Sequence, residues 1–336
     1  MKWMFSLLST KMMLERDMLG PRRSLRSWAR NTARCDVTND ATDDLSQMAQ
    51  ALENSGDYRV LRRLVPRDVI TPVPAGEQTK IGVLLDVETT GLDARTDEVI
   101  ELGMVKFAYC PDGRVAHVID SFGSLNEPAN PIPAEITTLT GITNDMVAGN
   151  QIDAAAVATF VADANIVIAH NANFDRKFAE RYWPEFEHKH WGCSATEINW
   201  RAHGFEGSRL GYLLMGAGLF HTAHRAVDDC RALLEVLAIT LAGTGQPALG
   251  SLLDRARRNT VRIWAEGAPY DLKDELKKRK YRWNDGSDGR PRSWHIEIDE
   301  DSLDAEKIVL RQEIYRRDVE LLVQSVTALT RFSDRS

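Results

Sequence analysis

The run from Ile81 to Leu92, I-G-V-L-L-D-V-E-T-T-G-L, constrains this chain more than any other stretch. Ile81, Val83, Leu85 and Val87 alternate with Gly82, Leu84, Asp86 and Glu88. An apolar run of this length, closed by a glycine turn, reads as a strand buried on both faces, which makes it a central strand of a sheet. Side chains two apart on a strand share a face, so Asp86 and Glu88 project together from the carboxyl end of a hydrophobic strand. Like charges at a buried edge raise each other's pKa and cost free energy unless a cation sits between them, and oxygen donors of this kind suit Mg²⁺ or Mn²⁺. A bare D-x-E is more often a strand running out into solvent with two ordinary surface acids. The T-T-G-L that follows adds a tight turn whose Thr89 and Thr90 hydroxyls and backbone N–H groups can face a sugar or phosphate over the two acids.

At 336 residues the chain exceeds one average domain, with length for two or three units. Its 43% hydrophobic and 27% charged residues are those of a soluble globular protein. A net charge of −7 does not announce a nucleic-acid binder, although a cluster of metal-binding carboxylates contributes negative charge that the metals cancel. Cys35, Cys110, Cys193 and Cys230 form no C-x-x-C pair, which points to a reduced, cytoplasmic protein. His188, His190 and Cys193 have no fourth zinc ligand at suitable spacing and read as a polar loop.

Met1 to Arg34 reads as a basic leader, its uncharged run Trp3 to Thr10 too short to span a bilayer, so no membrane association is expected. Asp43 to Leu64 has apolar residues at helical intervals, interrupted at Gly56, and is expected to pack on a neighbour. The Pro- and Gly-rich residues 66–78 read as a linker. Asp97 to Ala108 and Val115 to Phe122 flank a Pro111-Asp112-Gly113 turn and form a hairpin. A helix over Asp153 to Ala162, a short buried strand at Ile166 to Ala169 and a helix from about Ala172 complete an α/β pattern around a mixed sheet.

That last helix opens N-A-N-F-D-R-K-F. With Phe178 at the centre of a wheel at about 100° per residue, Asp175 falls about 60° away, at the edge of the buried stripe, while Arg176 and Glu180 fall on the far side. Asp175 thus stands near the carboxyl end of the preceding strand, where open α/β sheets place their ligands. A later helix follows His221-Thr-Ala-His224-Arg225. Taking Leu233 as its centre, Asp229 lies about 40° away on the apolar face and Asp228 about 140° away, toward solvent. A carboxylate on a face of Ala, Leu and Cys needs a partner or a metal.

D-x-E on the first strand, N-x-x-F-D on a middle helix and H-x-x-x-x-D on a late helix together resemble the DEDD exonucleases of the histidine subtype, and are similar to the epsilon proofreading subunit of bacterial DNA polymerase III. The match runs from about Lys80 to Leu241 and includes P-I-P-A-E-I-T-T-L-T-G-I-T, Pro131 to Thr143. The resemblance implies a ribonuclease H-like α/β fold with a mixed central sheet and flanking helices. It implies that Asp86, Glu88, Asp175 and Asp229 hold two Mg²⁺ or Mn²⁺ ions, that His224 deprotonates the attacking water, and that 5′-nucleotides leave from a 3′ end. Thr89, Thr90 and Leu92 would meet the terminal nucleotide, and Asn171 and Phe174 would support the site. The implied partner is a nucleic acid with a free 3′ end, DNA ahead of RNA. No clamp-binding peptide is evident, so a polymerase partner stays open, as do an oligoribonuclease role and a catalytically silent binding module.

The exonuclease domain is expected over 79–245, after the leader and helix of 1–65. Gly243 to Gly250 reads as a linker into a small α+β module over 250–336. There Arg262 to Ala265 reads as a strand, Asp271 to Lys280 as a basic helix, Tyr281 to Ile298 as a hairpin and Leu303 to Leu329 as a closing helix. Lys277, Lys278, Arg279, Lys280 and Arg282, interleaved with Trp283 and Trp294, suggest phosphate tracking and base stacking. The alternative is a miniature tryptophan core beside a solvated helix face.

Overall fold

The computed structural model describes residues 39–335; the basic leader Met1 to Arg34 lies outside them. The chain divides between Val60 and Leu61. Before the division lies helix α1, Asn39–Ser55. Leu45, Met48 and Leu52 on it are exposed, against the expectation that they pack on a neighbour. Helix does not resume after Gly56, whose φ of +79° suits a helix terminus. Instead Arg62–Arg63 forms strand β1.

The second unit is built on a five-stranded sheet. Its strands are β2 (Lys80–Thr89), β3 (Val99–Tyr109) and β4 (Val115–Leu125), then, after helices α2 (Ala134–Thr140) and α3 (Ala154–Val161), β5 (Ile166–Ala169). Helix α4 (Ala172–Tyr182) leads to β6 (Trp191–Cys193). Strand order is β4-β3-β2-β5-β6, with β2, β3 and β4 antiparallel and β5 and β6 parallel to β2, a mixed sheet with β2 at its centre. The hairpin, the buried strand, α3 and α4 lie where the apolar periods placed them.

Next come α5 (Leu210–Gly216), β7 (Leu219–Phe220), α6 (Ala226–Ala238) and α7 (Ala248–Ala256). Alternation along β2 assigns the two faces. Leu84 joins α6 and α7 residues Leu233, Leu237, Leu249, Leu252 and Leu253 in one core, while Val83, Leu85 and Val87 meet Phe178 and Ala179 of α4 in the other. Gly103 lets α6 lie close on β3, since a Cβ there would stand 2.3 Å from the Ala226 carbonyl carbon.

The expected linker at Gly243 to Gly250 is not one. Helix α7 starts inside it and is part of the core, and Gly250 is a contact glycine whose Cβ would stand 2.7 Å from the Asp112 carbonyl oxygen in the β3–β4 turn. Gly250, which looked like flexibility, is there for close packing.

Beyond α7, β8 (Thr260–Ala265), α8 (Lys273–Lys278), β9 (Arg282–Trp283), β10 (Trp294–Asp299), α9 (Leu303–Val309) and β11 (Leu322–Val326) form a four-stranded sheet of order β11-β8-β10-β9 with its helices. The closing helix expected over Leu303 to Leu329 is thus corrected. It passes into a π-helical turn, ends at Arg316 with φ 53°, and the chain returns as β11. The polar Arg316-Arg317-Asp318 breaks the helix, and L-V-Q-S-V then pairs with β8. Trp294 packs against the small core of this sheet, whereas Trp283 is 50% exposed. The basic helix is not a free cationic face: Lys277, Lys278 and Arg279 pair with Asp274, Glu275 and Glu306. Residues 251–336 carry 18 Lys and Arg against 17 Asp and Glu, so this part has little net charge to offer a phosphate backbone.

The last residues return to the first sheet. Trp191, on edge strand β6, donates its N–H to Ala328 O at 2.8 Å. Arg176, read from the wheel as solvent-facing, is fully buried. Its guanidinium donates to Leu329 O at 2.6 Å, Arg331 O at 2.7 Å and Glu180 at 2.7 Å. The far side of α4 is a second packing face, covered by residues 328–335. A further buried pair, Arg331 to Glu197 at 2.5 Å, fixes the tail. A chain cut at Gly250 would lose α7 and this tail together. Among the described residues no helix is long and apolar enough to cross a membrane.

Candidate active site

The carboxyl end of β2 gathers the acids from three separate segments. Asp86 lies opposite Gly103 in the β2–β3 register and Glu88 opposite Glu101, so both carboxylates stand on the face that α6 covers. Asp175 comes from the first turn of α4, on the other face, and reaches round the strand end; its Oδ1 accepts the Val87 N–H at 3.3 Å. Asp229 sits in the first turn of α6, 9% exposed, while its neighbour Asp228 is exposed. The wheel separated the two acids correctly.

Glu88, His224 and Asp229 each present a donor atom within 4.8 Å of the others. Asp86 and Asp175 belong to the same neighbourhood. The buried Cys230 thiol beneath them is pushed well up, first by burial and then by Asp86, Asp229 and Asp175. A cluster of hard oxygen donors with one imidazole, gathered at a strand end, fits a divalent metal ion.

His224 precedes α6 in the left-handed region, with φ 71°. Its N–H donates to Asp229 Oδ2 at 2.8 Å, so backbone and carboxylate lock each other. Of the turn residues, Thr89 is buried, with its hydroxyl on Gly91 O at 2.6 Å, and the Thr90 hydroxyl accepts the Glu98 N–H at 2.9 Å. Leu92 is exposed on the turn, Asn171 stands exposed at the start of α4, and Phe174 stacks on Phe178 at 5.0 Å between ring centroids.

Three residues escaped the sequence reading. His221 Nε2 bonds Asp229 Oδ1 at 2.7 Å, so Asp229 is held from two sides. Glu101, 4% exposed, takes the Arg225 guanidinium (Nη2 to Oε1 2.8 Å) and the Ala226 N–H at 3.1 Å. This pair fastens the start of α6, and with it His224 and Asp229, to β3. A signal existed: a glutamate inside the apolar run V-I-E-L-G demands a partner.

Just before Asn171, His170 is held between the Ser194 hydroxyl at 2.8 Å from Nδ1 and the Ser208 carbonyl at 2.6 Å from Nε2. The carbonyl can only accept, so Nε2 carries the proton and Nδ1 accepts from Ser194. Burial pushes the imidazole down from 6.5 to about 4. The unfolded chain therefore binds the extra proton between these values, so this contribution to stability is complete above pH 6.5 and is lost as pH falls toward 4, on the order of 3 kcal/mol. Expected in denaturant titrations is a steeper acid loss for the parent than for His170→Gln; equal slopes would refute it.

Residues 83–237 match the RNase_T exonuclease family. The chain is 32% identical to the DNA polymerase III epsilon subunit of Treponema pallidum over 166 residues, 47% of this chain and 74% of that protein. It is 30% identical to the PolC-type DNA polymerase III of Thermotoga petrophila over 164 residues, 46% of this chain but 11% of that polymerase, so it spans about a tenth of such relatives. Among solved structures it is similar to exonuclease X in complex with 5′ overhanging duplex DNA (TM-score 0.37, 22% identity, covering 51% of this chain and 99% of that one). Another is an E. coli exonuclease I–single-stranded DNA complex (TM-score 0.45, 14% identity, 66% and 63%). The stretch that matches the family spans β2 through α6 and so contains every acid gathered at the strand end; the chain belongs to the RNase_T exonuclease family.

Proposed function

We propose that the chain is a metal-dependent 3′–5′ exonuclease that releases 5′-nucleotides from nucleic-acid ends, DNA foremost. The convergence of Asp86, Glu88, Asp175 and Asp229 with His224, from three separate segments, carries this reading. The DNA polymerase III relatives favour DNA and leave room for a polymerase partner. In it, the four carboxylates would hold two Mg²⁺ or Mn²⁺ ions, which would supply charge stabilisation for an in-line displacement at the phosphate. The His224 ring, within 4.8 Å of the Glu88 and Asp229 oxygens, takes the proton from the attacking water. His221 keeps Asp229 turned inward. Thr89, Thr90 and Leu92 receive the terminal nucleotide, and Asn171 and Phe174 back the site from α4.

A 5′-labelled single strand should give a descending ladder in Mg²⁺ that EDTA abolishes, with DNA and RNA run side by side. Cleavage of a circular single strand would overturn the proposal. His224→Ala should lower kcat by about 10²–10⁴-fold with little change in KM, because a general base acts in the transition state. A variant that loses mainly KM would make His224 a substrate contact.

A further inference from the structure

The first sheet has a second open end. At the amino end of β2, Lys80 lies opposite Tyr109 on β3 and Gly82 opposite Ile166 on β5. Leu253 and Ala256 of α7 pack on the same face, and the returning tail at Ala328 lines one side, leaving a cavity of about 420 Å³. Small-molecule sites occupy roughly 300–1,000 Å³. Asp86 and Glu88 stand six and eight residues further along β2. At roughly 3.3 Å per residue that is about 20–26 Å, so an occupant of the cavity does not reach the acids of the candidate active site.

An apolar floor meets a cationic rim here. Tyr109, Ile166 and Leu253 form the floor, all buried. Lys80 and Arg257 stand exposed on the rim with His190, and no aspartate or glutamate lines the cavity. Arg257 is shared with Asp254 at 3.5 Å, an ion pair with both side chains about half exposed, whereas Lys80 and His190 make no ion pair among the described residues. Tyr109 is 2% exposed, yet its hydroxyl has no hydrogen-bond partner among the described residues. Burial pushes this phenol up and the Arg257 guanidinium acts the other way, so the ring stands in the field of a rim cation. A buried hydroxyl without a partner costs free energy that a ligand acceptor recovers.

We propose that this cavity is a second, non-catalytic site for a nucleoside 5′-phosphate, its phosphate on Lys80 and Arg257 and its base against Tyr109, Ile166 and Leu253. Two fixed cations match a phosphate dianion, and a buried apolar floor with one free hydroxyl matches a heterocycle that carries its own acceptors. The choice of ligand rests on the exonuclease reading, which makes a 5′-nucleotide the small anion that this chain releases.

The test is calorimetric titration of the full chain with dAMP in EDTA, where the metal-free acids repel phosphate and the distal cavity is read alone. Lys80→Gln/Arg257→Gln should weaken binding at least about 10-fold, the loss of one or more hydrogen bonds to a charged group. Tyr109→Phe should weaken it by about 2- to 10-fold and leave the melting temperature unchanged, because the hydroxyl has no protein partner to lose. Folding of each variant is checked by its melting curve, and should the double variant not fold, Tyr109→Phe gives the same comparison. A parent that does not bind dAMP, or a folded double variant that binds it as the parent does, overturns the site. Inorganic phosphate that binds as tightly as dAMP overturns the role of the floor as a base platform. A 5′-phosphorylated oligonucleotide that displaces dAMP at lower concentration makes the cavity a strand contact and overturns the free-nucleotide assignment. Failure of the parent to degrade DNA in Mg²⁺ or Mn²⁺ would instead overturn the exonuclease proposal, while the EDTA titration still reads the cavity.

Discussion

Asp229→Asn should lower kcat at least about a thousand-fold, whereas Asp228→Asn should stay within about twofold of the parent. The first change removes one anionic oxygen from the cluster and loosens the grip on the His224 backbone, where Oδ2 accepts an N–H at 2.8 Å. Loss of several kcal/mol of charge stabilisation at the reacting phosphate corresponds to that factor. Asp228, one residue earlier, is exposed and lies about 100° round α6 from Asp229. Steady-state turnover of a short oligonucleotide, with bound Mn²⁺ counted by EPR titration, separates the two. The Asp229→Asn protein should bind fewer or weaker ions, and equal behaviour of the two variants would refute the assignment of Asp229 to the site.

Arg176→Ala should destabilise the protein by about 3–5 kcal/mol, the cost of breaking a buried ion pair from one side. The guanidinium has no exposed surface and serves carbonyls of residues 329 and 331 as well as Glu180. Its removal leaves those carbonyls without their donor. Arg176→Lys should recover only part of the loss, because one ammonium cannot reproduce a planar fork aimed at several acceptors. Urea denaturation monitored by tryptophan fluorescence gives the number. A change under about 1 kcal/mol would mean that the tail is not held on α4 in solution.

The central strand, the hairpin and the placement of Asp86, Glu88, Asp175 and Asp229 were legible because each rests on a local rule, whereas His224 entered only through the resemblance. Strand alternation puts Asp86 and Glu88 on one face, and helical periodicity separates Asp229 from Asp228. What stayed hidden depends on partners distant in the chain. Arg176 and Glu180 look solvent-facing on a wheel because a wheel knows one apolar stripe and not the tail that covers the other side. Gly250 looks like a linker residue until the β3–β4 turn is laid against it. Lys277, Lys278 and Arg279 look like a phosphate-tracking row until Asp274, Glu275 and Glu306 are found beside them. His221 was read as part of the loop, and only folding back onto Asp229 gives it a role.

The return of the tail to the first sheet has a consequence for the order of events on the ribosome. Chains emerge amino-terminus first, and contacts between distant residues are slow because loop closure must precede them. Arg176 meets Leu329 across 153 residues. A nascent chain that has already made β2 to α6 thus holds a guanidinium and a sheet edge with no cover until residues 328–335 have emerged. Completion of the nuclease fold therefore waits on residues 328–335, and chains stalled between α6 and that segment should be the ones that chaperones and proteases find.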